Sequence, residues 1–158
     1  MARYEDLERF YVLRGPPVCC AYCGDASSCV DHTVPRSFVS EHSRAFSRKR
    51  FIKVRACEEC NVLLGKEVFS TWEERIRFLR RKFEKKHKRH LRAARWDEDD
   101  MEEIGGTLRA VLENAEGKAT WLRSRLVHMM GTRYPSIPND LFGLGTAEAA
   151  MTDEAEAA

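Results

Sequence analysis

No run of roughly 18 or more apolar residues occurs in this 158-residue chain, which argues against a membrane-spanning helix. The opening MARYEDLERF lacks the basic start and greasy centre of an export signal and carries acidic residues instead. A soluble, cytoplasmic protein is the expectation. Without export, the six cysteines are not expected to form a disulfide framework, and four of them stand in two C-x-x-C pairs, which favours metal binding. No internal repeat is present. The length and a hydrophobic content of 43% suit one sizeable core with an appendage.

Acidic residues are scarce in the middle of the chain. From Arg36 to Arg95 there are 19 Lys/Arg against 7 Asp/Glu, whereas from Asp97 to the end there are 5 against 13, so the formal net charge of +2 conceals a segregated chain. A basic middle points to a polyanion, because clustered cations release counterions from a phosphate backbone.

The hydrophobic pattern sets the expected elements. Tyr4, Leu7 and Tyr11 predict a short amphipathic helix within residues 2–13, ended by Gly15-Pro16-Pro17. A loop-rich segment follows, with a strand near Cys29–His32, and 36–50 reads as a basic loop with one helical turn. RFIKVRA (50–56) predicts a strand in which Phe51 and Ile52 cannot both face inward. ACEECNVLLG predicts a short helix ending at Gly65.

Beyond Ser70 the chain reads as long helix. Ser70 and Glu73 have capping-box spacing, and Trp72, Ile76, Leu79 and Phe83 form one stripe. Eleven Lys/Arg lie between Arg75 and Arg95. Asp97–Asp100 open a further helix with Met101, Ile104, Leu108, Val111, Ala115, Ala119, Leu122 and Leu126 in line, and Gly105, Gly106 and Gly117 as places for a break. The acidic tail reads as disordered.

Cys20-x2-Cys23 and Cys57-x2-Cys60 are two knuckles able to share one tetrahedral structural zinc. Cys19 competes with Cys20 in register, but two intervening residues suit a knuckle better, and Cys29 reads as a core residue. If the zinc ties both ends together, the segment between them brings Asp31, His32 and Asn61 to one point. Asp31 and Asn61 offer hard oxygen ligands for Mg²⁺ or Mn²⁺, and His32 a nitrogen to take a proton. Phosphodiester hydrolysis needs that set: a base for water and a cation for the phosphate. Asn61 also reads as a helix cap. His42, His87 and His90 read as surface residues.

The order C-x2-C, DH-x-x-P, C-x2-C-N-x3-G resembles the HNH (His-Me finger, ββα-metal) endonucleases with a zinc-stapled core, and VRACEECNVLLG is similar to the matching element of small phage and prokaryotic members and of the phage junction-resolving recombination endonuclease. The resemblance spans residues 18 to about 66. It implies a ββα-metal fold for the zinc-bound core (18–68); together with the elements read from the residue pattern, the expectation is an α+β chain with an N-terminal helix and linker (1–17), a helical extension (69–132), and a loop with an acidic tail (133–158). The resemblance carries the site assignments. It further implies His32 as general base, Asp31 and Asn61 on one catalytic metal, zinc on the four cysteines, and a phage or prokaryotic setting. Arg36, Arg48, Lys49, Arg50, Lys53, Arg55, Lys66, Arg77 and Arg81 are the expected DNA contacts. A homodimer or a protein partner through the C-terminal helices stays open. The pattern departs from many members at one place: between His32 and Cys60 there is no Asn, and the one further His is His42. A backbone carbonyl or His42 would then orient His32, or the site is impaired. The rival reading is a zinc-stapled nucleic-acid-binding or adaptor module without catalysis.

Overall fold

The computed structural model describes residues 4–14, 16–41, 51–93 and 96–131. A 3-10 helix (Tyr4–Phe10) leads directly into β1 (Tyr11–Arg14), followed by β2 (Cys29–His32), α1 (Arg36–Glu41), β3 (Phe51–Ala56), α2 (Glu58–Leu64), α3 (Trp72–Leu91), α4 (Glu98–Glu102) and α5 (Gly106–Gly131). The chain is a mixed α+β protein built on one three-stranded sheet of order β1-β3-β2. β1 runs parallel to β3 and β2 antiparallel to it. Among the described residues no helix is long and apolar enough to cross a membrane.

The sequence expectation for β3 fails at Phe51-Ile52, because both are buried. Successive strand residues point to opposite faces, so this requires cover on both sides of the sheet. Ile52, Val54 and Ala56 join a cluster with the four knuckle cysteines, Trp72, Leu79, Phe83 and Leu122. Phe51 joins a second cluster with Leu7, Phe10, Tyr11, Val34 and Val39. Tyr11 is therefore not the last turn of a helix. It starts β1, opposite Phe51.

Helix signals were displaced by a residue or more. The N-cap of α2 is Cys57, whose sulfur accepts from the Cys60 N–H, so Asn61 sits inside the helix rather than at its start. The predicted end holds: Gly65 adopts φ 59 and donates its N–H to Asn61 O, a left-handed φ that glycine tolerates best. The N-cap of α3 is Thr71, accepting from Glu74 N–H, with Ser70 N–H on the Glu74 carboxylate. The Trp72/Leu79/Phe83 stripe is buried, with Ile76 packed at its edge. Asp97 caps α4, and the chain breaks at Gly105 before α5, while Gly117 is carried inside the helix. On the expected stripe Met101, Ala119 and Leu122 are buried, whereas Leu108 and Val111 stay 57% and 58% exposed, because the first half of α5 runs beyond the core.

Candidate metal centre and cleft

Cys20, Cys23, Cys57 and Cys60 bring four buried sulfurs within 4.8 Å of one another. A tetrahedral zinc with bonds of about 2.3 Å has sulfur–sulfur edges of about 3.8 Å, and Cys23 Sγ lies 3.8 Å from Cys57 Sγ. The donor set and its size fit a structural zinc-like ion. The crowded thiols share protons unevenly: donation from Cys23, Cys57 and Cys60 pulls the Cys20 pKa well below its ordinary value, while Cys60, as donor to the other three, has its pKa pushed well above. Cys19 is outside the cluster, in an isolated bridge with Ala26, and Cys29 is half-buried with its sulfur 3.3 Å from Ala56 O.

A residue with no sequence signal completes this centre. Arg125 of α5, buried, donates to Cys57 Sγ (3.3 Å), Cys60 Sγ (3.8 Å) and Glu59 Oε2 (2.6 Å), with its guanidinium between the rings of Phe83 and Trp121. Burial would raise the Glu59 carboxyl, but donation from Lys86, His87 and Arg125 outweighs it and pulls the group down to about 2. His87 is thereby a partly buried partner of Glu59 at 2.7 Å rather than a surface residue.

The register of β2 separates the DH pair. Asp31 faces Val54 and His32 faces Lys53 across the ladder, so the two side chains project to opposite sides of the sheet. Asp31 is buried among polar partners: Arg75 Nη2 reaches its Oδ2 at 2.5 Å and the Tyr22 hydroxyl donates to the same oxygen. Arg75 also bonds Tyr22 Oη (2.9 Å) and Thr33 O (3.0 Å). Burial first, then the Asp31 charge, pushes the Tyr22 hydroxyl well above its usual range, so it remains a donor. Asp31 Oδ1 accepts no hydrogen bond among the described residues.

His32, half-buried on the other side, places Nε2 at 3.2 Å from Glu8 Oε1 and 3.1 Å from Arg36 Nε, with its ring edge-on to Tyr11 at 4.6 Å. Arg36 also donates to Glu8, and Lys53 Nζ lies 2.5 Å from Glu8 Oε2. Glu8 thus collects one imidazole and two cations. It has no flag in the sequence, being 24 residues from His32. Burial, aided by the Lys53 charge and opposed by Asp31, lowers the His32 pKa below its ordinary value.

β2 is an edge strand, and the cleft along it, about 670 Å³, is lined by Asp31, His32, Arg36, Asn61, Gly65 and Lys66 among others. Asp31, His32 and Asn61, 30 residues apart in the chain, therefore line one space. Of the other expected DNA contacts, Arg36 and Lys66 line this cleft, Lys53 is turned to Glu8, Arg55 is half-buried, and Arg77 and Arg81 are exposed on α3. Arg48, Lys49, Arg50 and His42 lie outside the described residues. Comparison with protein-family models, curated proteins and solved structures returns no match.

Proposed function

We propose that this chain is a metal-dependent DNA endonuclease of the HNH type, nicking one phosphodiester at a time. The observation that carries the reading is the single cleft shared by Asp31, His32 and Asn61 with Arg36 and Lys66 on its walls. The antiparallel β2–β3 pair followed by α2 supports a ββα arrangement, with the four-cysteine centre fastening its two ends.

Asp31 Oδ1 and the Asn61 amide oxygen are the hard donors for Mg²⁺ or Mn²⁺. Such an ion, when bound, neutralises the scissile phosphate and its leaving 3′ oxygen. Tyr22 and Arg75 fix the Asp31 carboxylate through its other oxygen, as outer partners fix ligating carboxylates. His32 takes the proton from the attacking water. Glu8 and Arg36 both reach its Nε2, and this grip on the ring answers the need for an orienting group in the absence of the middle Asn. Arg36 and Lys66 hold the phosphate by charge.

The buried Asp31–Arg75 pair favours a second reading, a non-catalytic zinc-stapled DNA-binding module, because it gives Asp31 a structural use. Nicking of supercoiled plasmid with Mg²⁺ or Mn²⁺ decides between them. Metal-dependent nicking by the wild type, lost in His32→Ala, supports the enzyme; DNA binding without cutting by the wild type supports the module.

A further inference from the structure

α3 and α5 meet along a groove of about 600 Å³ that shares no lining residue with the cleft. Its rim is Arg81, Lys85, Lys88 and Arg92, at i, i+4, i+7 and i+11, hence one stripe of α3, and all four are exposed. Arg123 of α5 closes the far end, its Nη2 at 3.4 and 3.5 Å from Leu91 O and Ala93 O. Leu91 and Leu126 make the floor apolar.

Three other cations of α3 are paired, Arg75 with Asp31, Arg80 with Glu84 and Lys86 with Glu59, while Arg77, Lys82 and Arg89 lie off the groove. Glu84 is the groove's one carboxylate, and it is turned to Arg80 at 2.8 Å. Among the described residues none of the four rim cations has a carboxylate partner. A stripe serving solubility alternates in sign; this one does not. Compensation of the helix dipole accounts for Lys88 in the last turn and for Arg92 at the C-cap, but not for Arg81 and Lys85, which stand upstream of the last turn where that field has faded.

We propose that the α3–α5 groove is a second phosphate-binding track for duplex DNA, separate from the cleft. It rests on the reading of DNA as substrate and names how that substrate is held. From Arg81 to Arg92 the helix rises about 16 Å, the axial length of about five base pairs at ~3.4 Å each. The track holds the backbone by charge, without reading sequence. It makes affinity dependent on salt and separable from cleavage.

The test uses the full chain without added Mg²⁺ or Mn²⁺, so binding is read without cutting and fails or stands independently of the nuclease reading. Fluorescence anisotropy on a labelled 20-base-pair duplex, titrated across salt, compares wild type with Lys85→Gln/Lys88→Gln and with a charge-matched pair on the first half of α5, Arg109→Gln/Lys118→Gln. Circular dichroism and zinc content confirm that each variant is folded. The groove pair is expected to flatten the slope of log K against log salt by about 2 and to weaken binding on the order of 50-fold at 0.1 M salt, the control pair by much less. Equal losses in the two pairs would reduce the groove to overall charge, and an unchanged groove variant, as when the chain's own acidic segment occupies the track, would overturn it.

Discussion

Arg75 Nη2 meets Asp31 Oδ2 at 2.5 Å with both side chains almost wholly removed from solvent, 44 residues apart in the chain. The guanidinium also donates from Nε to the Tyr22 hydroxyl and from Nη1 to Thr33 O, so the charge is both paired and hydrogen-bonded. That contact ties the first turn of α3 to the strand that carries the cleft.

Breaking the pair from one side leaves a buried charge uncompensated. Arg75→Met should lower unfolding stability by about 3–5 kcal/mol in urea denaturation, and the double variant Arg75→Met/Asp31→Asn should lose less than the two single losses added together. A single-variant loss below about 1 kcal/mol would class the pair with exposed ion pairs.

Glu8 tests whether the imidazole needs an anchor. Glu8→Gln keeps the side-chain shape but weakens the hold on His32 and on Arg36, and nicking should slow about 10–100-fold with zinc content unchanged. A rate equal to wild type would leave His32 oriented by Arg36 and Tyr11 alone.

The lowered pKa of His32 sets the sign of the pH dependence. The protonated ring cannot accept a proton from water, and burial keeps the ring neutral at pH values where an exposed His has begun to charge. The nicking rate should be level above about pH 7 and fall about tenfold per unit on the acid side, with its midpoint below the ordinary value of about 6.5. A midpoint above that value would show the neighbouring carboxylates outweighing burial.

One zinc per chain is expected from elemental analysis, and its removal by chelator should loosen the segment around the knuckles, since no disulfide joins the two cysteine pairs and the ion would bond all four sulfurs. Arg125→Met should speed zinc transfer to a chromogenic chelator about 10–100-fold, because the guanidinium bonds two of the sulfurs. Unchanged release would confine Arg125 to packing between Phe83 and Trp121.

Much of the scaffold was legible from local pattern. β2 occupies Cys29–His32, β3 the alternating run to Ala56, α2 stops at Gly65, and α3 buries the stripe that begins at Trp72. These signals are short in range: a strand alternates every two residues, a helix every three to four, and a left-handed stop favours glycine. β1 was misread because Tyr11 belongs equally to a helical spacing and to a strand, and what settled it was Phe51, 40 residues away.

By itself the sequence determined the four-sulfur centre, because C-x2-C spacing is a constraint on one knuckle at a time and two knuckles make one tetrahedron. It also offered Asp31, His32 and Asn61 as candidates. Only the tertiary structure decided how they are placed: that Asp31 and His32 project to opposite faces yet share one cleft, that Arg75 claims one oxygen of Asp31, that Glu8 holds His32, and that Arg125 reaches two cysteine sulfurs across 65 residues or more. An ion pair has no periodicity along the chain. Its partner is chosen by where packed elements bring two charges together, and that is a property of the fold.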